Sequence, residues 1–191
     1  YGGIKKYQWT AVPLAIHGVF AKKDVHTVDV TIGEDENDPI FVVNDLLPHL
    51  AQEQSKRPLS QGIRGEELNV LIGSMPFKDD SESELVKLNL LNILYEKYGV
   101  TEADFLSAEL ECVPAYKAKD LGLDRSMIGS YGHDDRVCAY PSLTALLESE
   151  DSTHTLMCIL ADKEEIGSDG ASGMQCDLML DMIDAIAASF G

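Results

Sequence analysis

Residues 153–173 read THTLMCILADKEEIGSDGASG, and this stretch decides the fold. Thr153 to Ala161 is a short apolar run, the pattern of a strand buried on both faces in a parallel sheet. It passes directly into a polar, glycine-rich loop. Downstream, residues 177–189 (DLMLDMIDAIAAS) form an amphipathic helix with Asp177 as its cap. Upstream, residues 136–148 read as a helix, with Pro141 kinking it or delaying its start. Helix, buried strand, glycine-rich loop, helix is an α/β rhythm. In such sheets ligand sites lie at the carboxyl ends of strands.

The loop carries adjacent carboxylates, Glu164 and Glu165. On extended backbone such neighbours point to opposite sides. One can then ligate a metal while the other contacts a metal-bound water, the division of labour of a metal-assisted hydrolase. Gly167, Gly170 and Gly173 permit close backbone approach. A solvated acidic turn explains the same residues on composition alone. A second acidic segment, Gly132-His133-Asp134-Asp135-Arg136, opens the preceding helix. Aspartates are favoured at a helix N-terminus by capping and by the dipole, so this segment taken alone has a purely structural explanation.

The first part of the chain has a different, strand-richer rhythm. Residues 11–21 and 25–33 form a strand pair around Lys22-Lys23-Asp24, and Val28, Val30 and Ile32 alternate with polar residues. Residues 33–39 (GEDENDP) are a turn. Residues 45–54 (DLLPHLAQEQ) suggest a short helix with Pro48 in its first turn. Residues 67–73 and 105–113 are strand candidates. The firmest helix is 81–98: Ser81-x-x-Glu84 is a capping box, Leu85, Leu88, Leu91 and Leu94 recur at helical spacing, and Gly99 stops it. Two structural units are expected.

Composition narrows the function. The chain has 191 residues and a formal net charge of −18, which disfavours nucleic acid or an anionic membrane as partner. No apolar run is long enough to span a bilayer, and Lys5 and Lys6 stand where a signal peptide would need an apolar segment. Cys112, Cys138, Cys158 and Cys176 form no CxxC pair and read as reduced core thiols of a cytoplasmic protein.

Taken together, GHDDR, a helix and an apolar strand ending in DKEEIGSDGASG resemble the aspartyl aminopeptidase family, the eighteenth family of metallopeptidases, and within it the bacterial branch. Further ordered matches support this: Tyr1-Gly2-Gly3, Trp9, Pro13 to Val19 (PLAIHGV) and Asp45 to Leu50 (DLLPHL). The resemblance implies an α/β catalytic domain with an inserted, strand-rich lid or dimerisation domain. It implies two zinc ions per complete site, peptide substrates and homo-oligomers built through the lid. Asp134 corresponds to the aspartate that bridges the two metals, Glu165 to a terminal metal ligand, and Glu164 to the general base. His49 corresponds to a lid histidine offered to a neighbouring subunit's site as an oxyanion stabiliser. Asp135 lies where relatives vary and is given no metal role.

The departures are as informative. The family's first ligand is a histidine in an H-x-D-x-P motif ahead of the YGG segment, and the chain starts at Tyr1. His26-Thr27-Val28-Asp29 imitates it in the wrong order and without the proline. No histidine follows Glu165, although the family places its last ligand there. At most two of the usual metal ligands are present, too few for a tetrahedral zinc site. The chain therefore reads as an internal segment: 1–12 a lead-in piece of the catalytic domain, 13–113 the lid, and 114–191 a partial catalytic domain. The expectation is a zinc aminopeptidase by family, with this segment inactive alone. The alternatives are a non-catalytic oligomerisation module and a distinct protein that kept the fold without the activity.

Overall fold

The computed structural model describes residues 5–78, 83–150, 153–170 and 172–191. The Tyr1-Gly2-Gly3 match and the Ser81 half of the capping box lie outside the described residues. The described residues divide into two compact units, one spanning Lys5–Ile128 and the other within Gly129–Gly191.

The first unit is built on β1 (Leu14–Ala21). It pairs antiparallel with β2 (Thr27–Ile32), setting Ile16 opposite Ile32 and Phe20 opposite Val28. The alternation read from the sequence holds: Val30 is buried and Val28 and Ile32 are half-buried, while Thr27, Asp29 and Thr31 face solvent. The segments 3-10 Lys6–Trp9, β3 (Val42–Val43), a single helical turn α1 (Leu59–Gly62) and β4 (Val70–Leu71) form the periphery, with β3 and β4 paired antiparallel. Residues 67–73 thus supply a strand of two residues rather than seven.

Helix α2 (Leu85–Tyr98) starts later than the capping box implies. Glu84 is its N-cap residue, in a left-handed conformation, and its side chain caps no backbone group. The C-terminus is as read. Gly99 takes φ 64°, its N–H donates to the Tyr95 carbonyl, and Lys22 Nζ donates to the Gly99 carbonyl at 2.7 Å. A 3-10 segment, Glu102–Ser107, leads into β5 (Ala108–Pro114), which pairs with the other edge of β1 and sets Leu14 opposite Pro114. The sheet order is β2-β1-β5. A two-stranded ribbon, β6 (Lys119–Leu121) with β7 (Met127–Gly129), follows. The first compact unit ends within this ribbon, at Ile128.

Two small apolar clusters hold this unit. Phe20, Val30 and Val100 form one, with Phe105 meeting Phe20 edge-on at 5.0 Å between ring centroids. Leu14, Phe41 and Val43 form the other, against Trp9 and Val70.

The expected helix over 45–54 is not formed. Pro48 to Leu50 make a turn, and a 3-10 segment begins at Gln54. Pro48 has no N–H to donate and biases Leu47 towards extended backbone. The Asp45 carboxylate accepts from the Leu46 N–H at 2.8 Å and the Gln54 amide at 2.9 Å.

In the second unit, α3 (His133–Leu147) contains Pro141, and Asp134 and Asp135 at its start depart from helical geometry. Helix α4 (Leu178–Ser189) follows Asp177, whose side chain makes no capping hydrogen bond. The strand expected over 153–161 is the main departure. The run has no regular secondary structure and joins no sheet ladder among the described residues, and Leu156 and Leu160 are 48% and 55% exposed. A strand needs a flanking strand for its backbone groups, and the described part of this unit offers helices instead. The four cysteines are free thiols, Cys112 and Cys138 exposed and the other two half-buried, so none is a core residue. No helix among the described residues is long and apolar enough to cross a membrane.

Candidate metal centre

The acidic pair is carried by a 3-10 turn, Glu164–Ile166, not by extended backbone. Left-handed residues bracket it: Lys163 at φ 61° before it, Gly167 at φ 92° and Ser168 at φ 59° after it. The Gly167 N–H donates to the Glu164 carbonyl at 2.9 Å, and the Ser168 N–H to the Lys163 carbonyl at 2.8 Å. The expectation of extended backbone at this pair is therefore not met. Asp134 and Glu164 both act electrostatically on Glu165, so acids from two separate segments lie within range of one another.

Electrostatics report the convergence. The Asp134 charge, then the Glu164 charge, hold the Glu165 carboxyl above its ordinary range. Like charges placed near one another disfavour ionisation. Asp135, adjacent in sequence, is committed elsewhere. It accepts a hydrogen bond from the Cys138 thiol, which is pushed up first by that bond and then by the Asp135 charge.

The loop is closed on itself. Asp162 and Gly173 form a parallel bridge. The Ser172 hydroxyl donates to the Asp162 carboxylate at 2.9 Å. Gln175 donates its side-chain amide to the Gly167 carbonyl and its backbone N–H to the Ser168 carbonyl. Ser172 and Gln175 were not singled out from sequence, because a chain that doubles back leaves no periodic signal. A partial signal was Gly173: a side chain there would meet the Ser168 carbonyl oxygen at 2.1 Å.

Carboxylate oxygens are ordinary zinc donors, so the chemistry of Asp134, Glu164 and Glu165 fits the oxygen half of a zinc site. Among the described residues, however, no group of three or more His, Cys, Asp or Glu side chains is arranged to hold a metal ion. His17 pairs with Glu34 at 2.9 Å and His26 with Asp24 at 3.4 Å, both within the first unit. His49 is exposed in the Pro48–Leu50 turn of that unit.

Comparison with known proteins agrees with these features. The family model described as "Aminopeptidase I zinc metalloprotease (M18)" matches residues 1–191. A "Probable M18 family aminopeptidase 1" of Clostridium acetobutylicum is 59% identical over 175 residues, covering 92% of this chain and 38% of that protein. The protein of the same description from Thermotoga maritima is 48% identical, over 94% of this chain and 39% of its own length. Among solved structures, aminopeptidase I from Clostridium acetobutylicum superposes with a TM-score of 0.85 at 54% identity, over 99% of this chain and 41% of that one. The Thermotoga maritima M18 aminopeptidase gives 0.81 at 43%, over 96% and 40%. The chain thus spans about two fifths of the length of the relatives it matches. With a family match over residues 1–191 and relatives up to 59% identical, the chain belongs to the M18 family of zinc metalloproteases.

Proposed function

We propose that this chain carries the carboxylate part of a two-zinc aminopeptidase centre, together with the lid through which such an enzyme pairs with itself. The observation that supports this most is the meeting of Glu165 with Asp134 and Glu164. Asp134 would hold metal between two ions and Glu165 would hold one of them. Bound zinc lowers the pKa of water and polarises a carbonyl. Glu164, held on the rigid 3-10 turn beside its neighbour, takes the proton from the attacking water and returns it to the leaving amine. The substrate is a peptide with a free N-terminus, and the setting is cytoplasmic. Alone, the segment is inactive, since two ligands do not complete a tetrahedral site.

Residues 13–113 are assigned to the lid, 1–12 to the lead-in and 114–191 to the catalytic slice. Leu46, Leu47 and Leu50 are 55%, 59% and 63% exposed around His49. An apolar patch on this turn suits contact with a second subunit, and His49 would there stabilise the oxyanion of a neighbouring site. The same patch favours a second reading, a non-catalytic module that only oligomerises.

Elemental mass spectrometry after zinc loading and desalting separates these readings. A polypeptide of the relatives' length that contains this segment should retain two zinc ions per chain, and Asp134→Ala should lower that number. The 191-residue chain itself should retain close to none. No zinc in the longer polypeptide would reject the catalytic reading.

A further inference from the structure

We infer that Gln175 is the positioning residue of the Glu164–Glu165 turn, a role that rests on the reading of those carboxylates given above. The exit of the turn runs through two consecutive left-handed residues, Gly167 and Ser168. Left-handed backbone at a non-glycine residue such as Ser168 is disfavoured and persists only where its surroundings hold it. Both carbonyls of that exit accept from one residue. The Gln175 side-chain amide takes Gly167 and the Gln175 backbone N–H, at 3.2 Å, takes Ser168. Gln175 stands two residues before Asp177, which leads into α4. It therefore ties the acidic turn to a regular helix and fixes the orientation from which Glu165 reaches Asp134. Only a side chain with an N–H donor at this length serves: methionine has the reach without the donor, and lysine supplies a donor again.

The test compares this chain with Gln175→Met and Gln175→Lys. Amide hydrogen exchange at Gly167 and Ser168, whose N–H groups close the turn onto Glu164 and Lys163, should accelerate at least threefold in Q175M and return towards the parent rate in Q175K. Exchange within α4 and the melting temperature should not move. Unchanged exchange at Gly167 and Ser168 in Q175M would overturn the proposal. So would an acceleration that spreads equally through α4, or a failure of Q175K to restore the rate. If Q175M does not fold, Gln175→Asn, whose amide falls one methylene short, takes its place. Titration with Co2+ of the same substitutions in a polypeptide of the relatives' length that contains this segment gives a separate reading, with binding at least threefold weaker in Q175M and recovered in Q175K. A parent that binds no Co2+ while the exchange rates respond as expected would reject the metal assignment and leave the positioning role standing. Equal Co2+ binding by all three chains would overturn the link from Gln175 to the carboxylates.

Discussion

Replacing Gly173 by alanine tests how the acidic turn is held. A Cβ at this position would lie 2.1 Å from the Ser168 carbonyl oxygen, 2.5 Å from its carbonyl carbon and 3.1 Å from the Asp169 carbonyl oxygen. All three are backbone atoms, so no side-chain rotation relieves the overlap. To reach ordinary contact, Ser168 must retreat by more than about 1 Å. Its N–H is bonded to Lys163 and the preceding Gly167 N–H to Glu164, so the displacement passes into the turn itself. A misplacement of about 1 Å at reacting groups costs on the order of 100-fold in rate. The assay is kcat/KM on a panel of aminoacyl anilides, in a polypeptide of the relatives' length carrying this segment. Gly170→Ala is the control. Gly170 has φ 103° but its nearest neighbour is Lys163 Cδ at 3.5 Å, so it bears backbone strain of about 1–2 kcal/mol without a clash. G173A should lose about 100-fold and G170A far less. A G173A enzyme within twofold of the parent would refute the reasoning.

Two further outcomes follow from other parts of the structure. Phe20 is 1% exposed and packs edge-on against Phe105, so Phe20→Ala should destabilise the first unit by about 3–5 kcal/mol in urea unfolding; a loss under about 1 kcal/mol would mean that this cluster is not its core. The raised Glu165 carboxyl, held up first by Asp134 and then by Glu164, sets a pH dependence in the metal-free chain. A group whose pKa is higher in the folded state supports stability fully below its ordinary value of 4.5 and loses that support as pH rises through the folded value. Glu165→Gln should therefore raise the melting temperature at pH 7 and leave it unchanged near pH 4. A gain of equal size at both pH values would contradict the convergence of the three acids.

Much of the architecture was legible because it is written in periodicity. Val28, Val30 and Ile32 alternate and the strand follows; Gly99 ends α2 as a left-handed cap must. What failed depended on partners or on chain reversal. The run from Thr155 to Ala161 has the composition of a buried strand, yet composition says nothing about which strand lies beside it. Residues 45–54 carry a helix-like apolar pattern, but Pro48 and the Asp45 side-chain bonds draw the backbone into turns. The acidic pair was misread in conformation, since neither a 3-10 turn nor its closure by Gln175 leaves a spacing in the sequence. His49 was carried only by resemblance, and its place on an exposed apolar turn is compatible with a lid.

The central claim is that Glu164 moves the proton while Asp134 and Glu165 hold metal. The most direct measurement is turnover of Glu164→Gln, with its zinc content, in a polypeptide of the relatives' length containing this segment. The claim expects kcat to fall by roughly 100- to 10,000-fold with zinc retained at the parent level. Undiminished turnover would contradict it, and so would a loss of activity that merely tracks a loss of zinc.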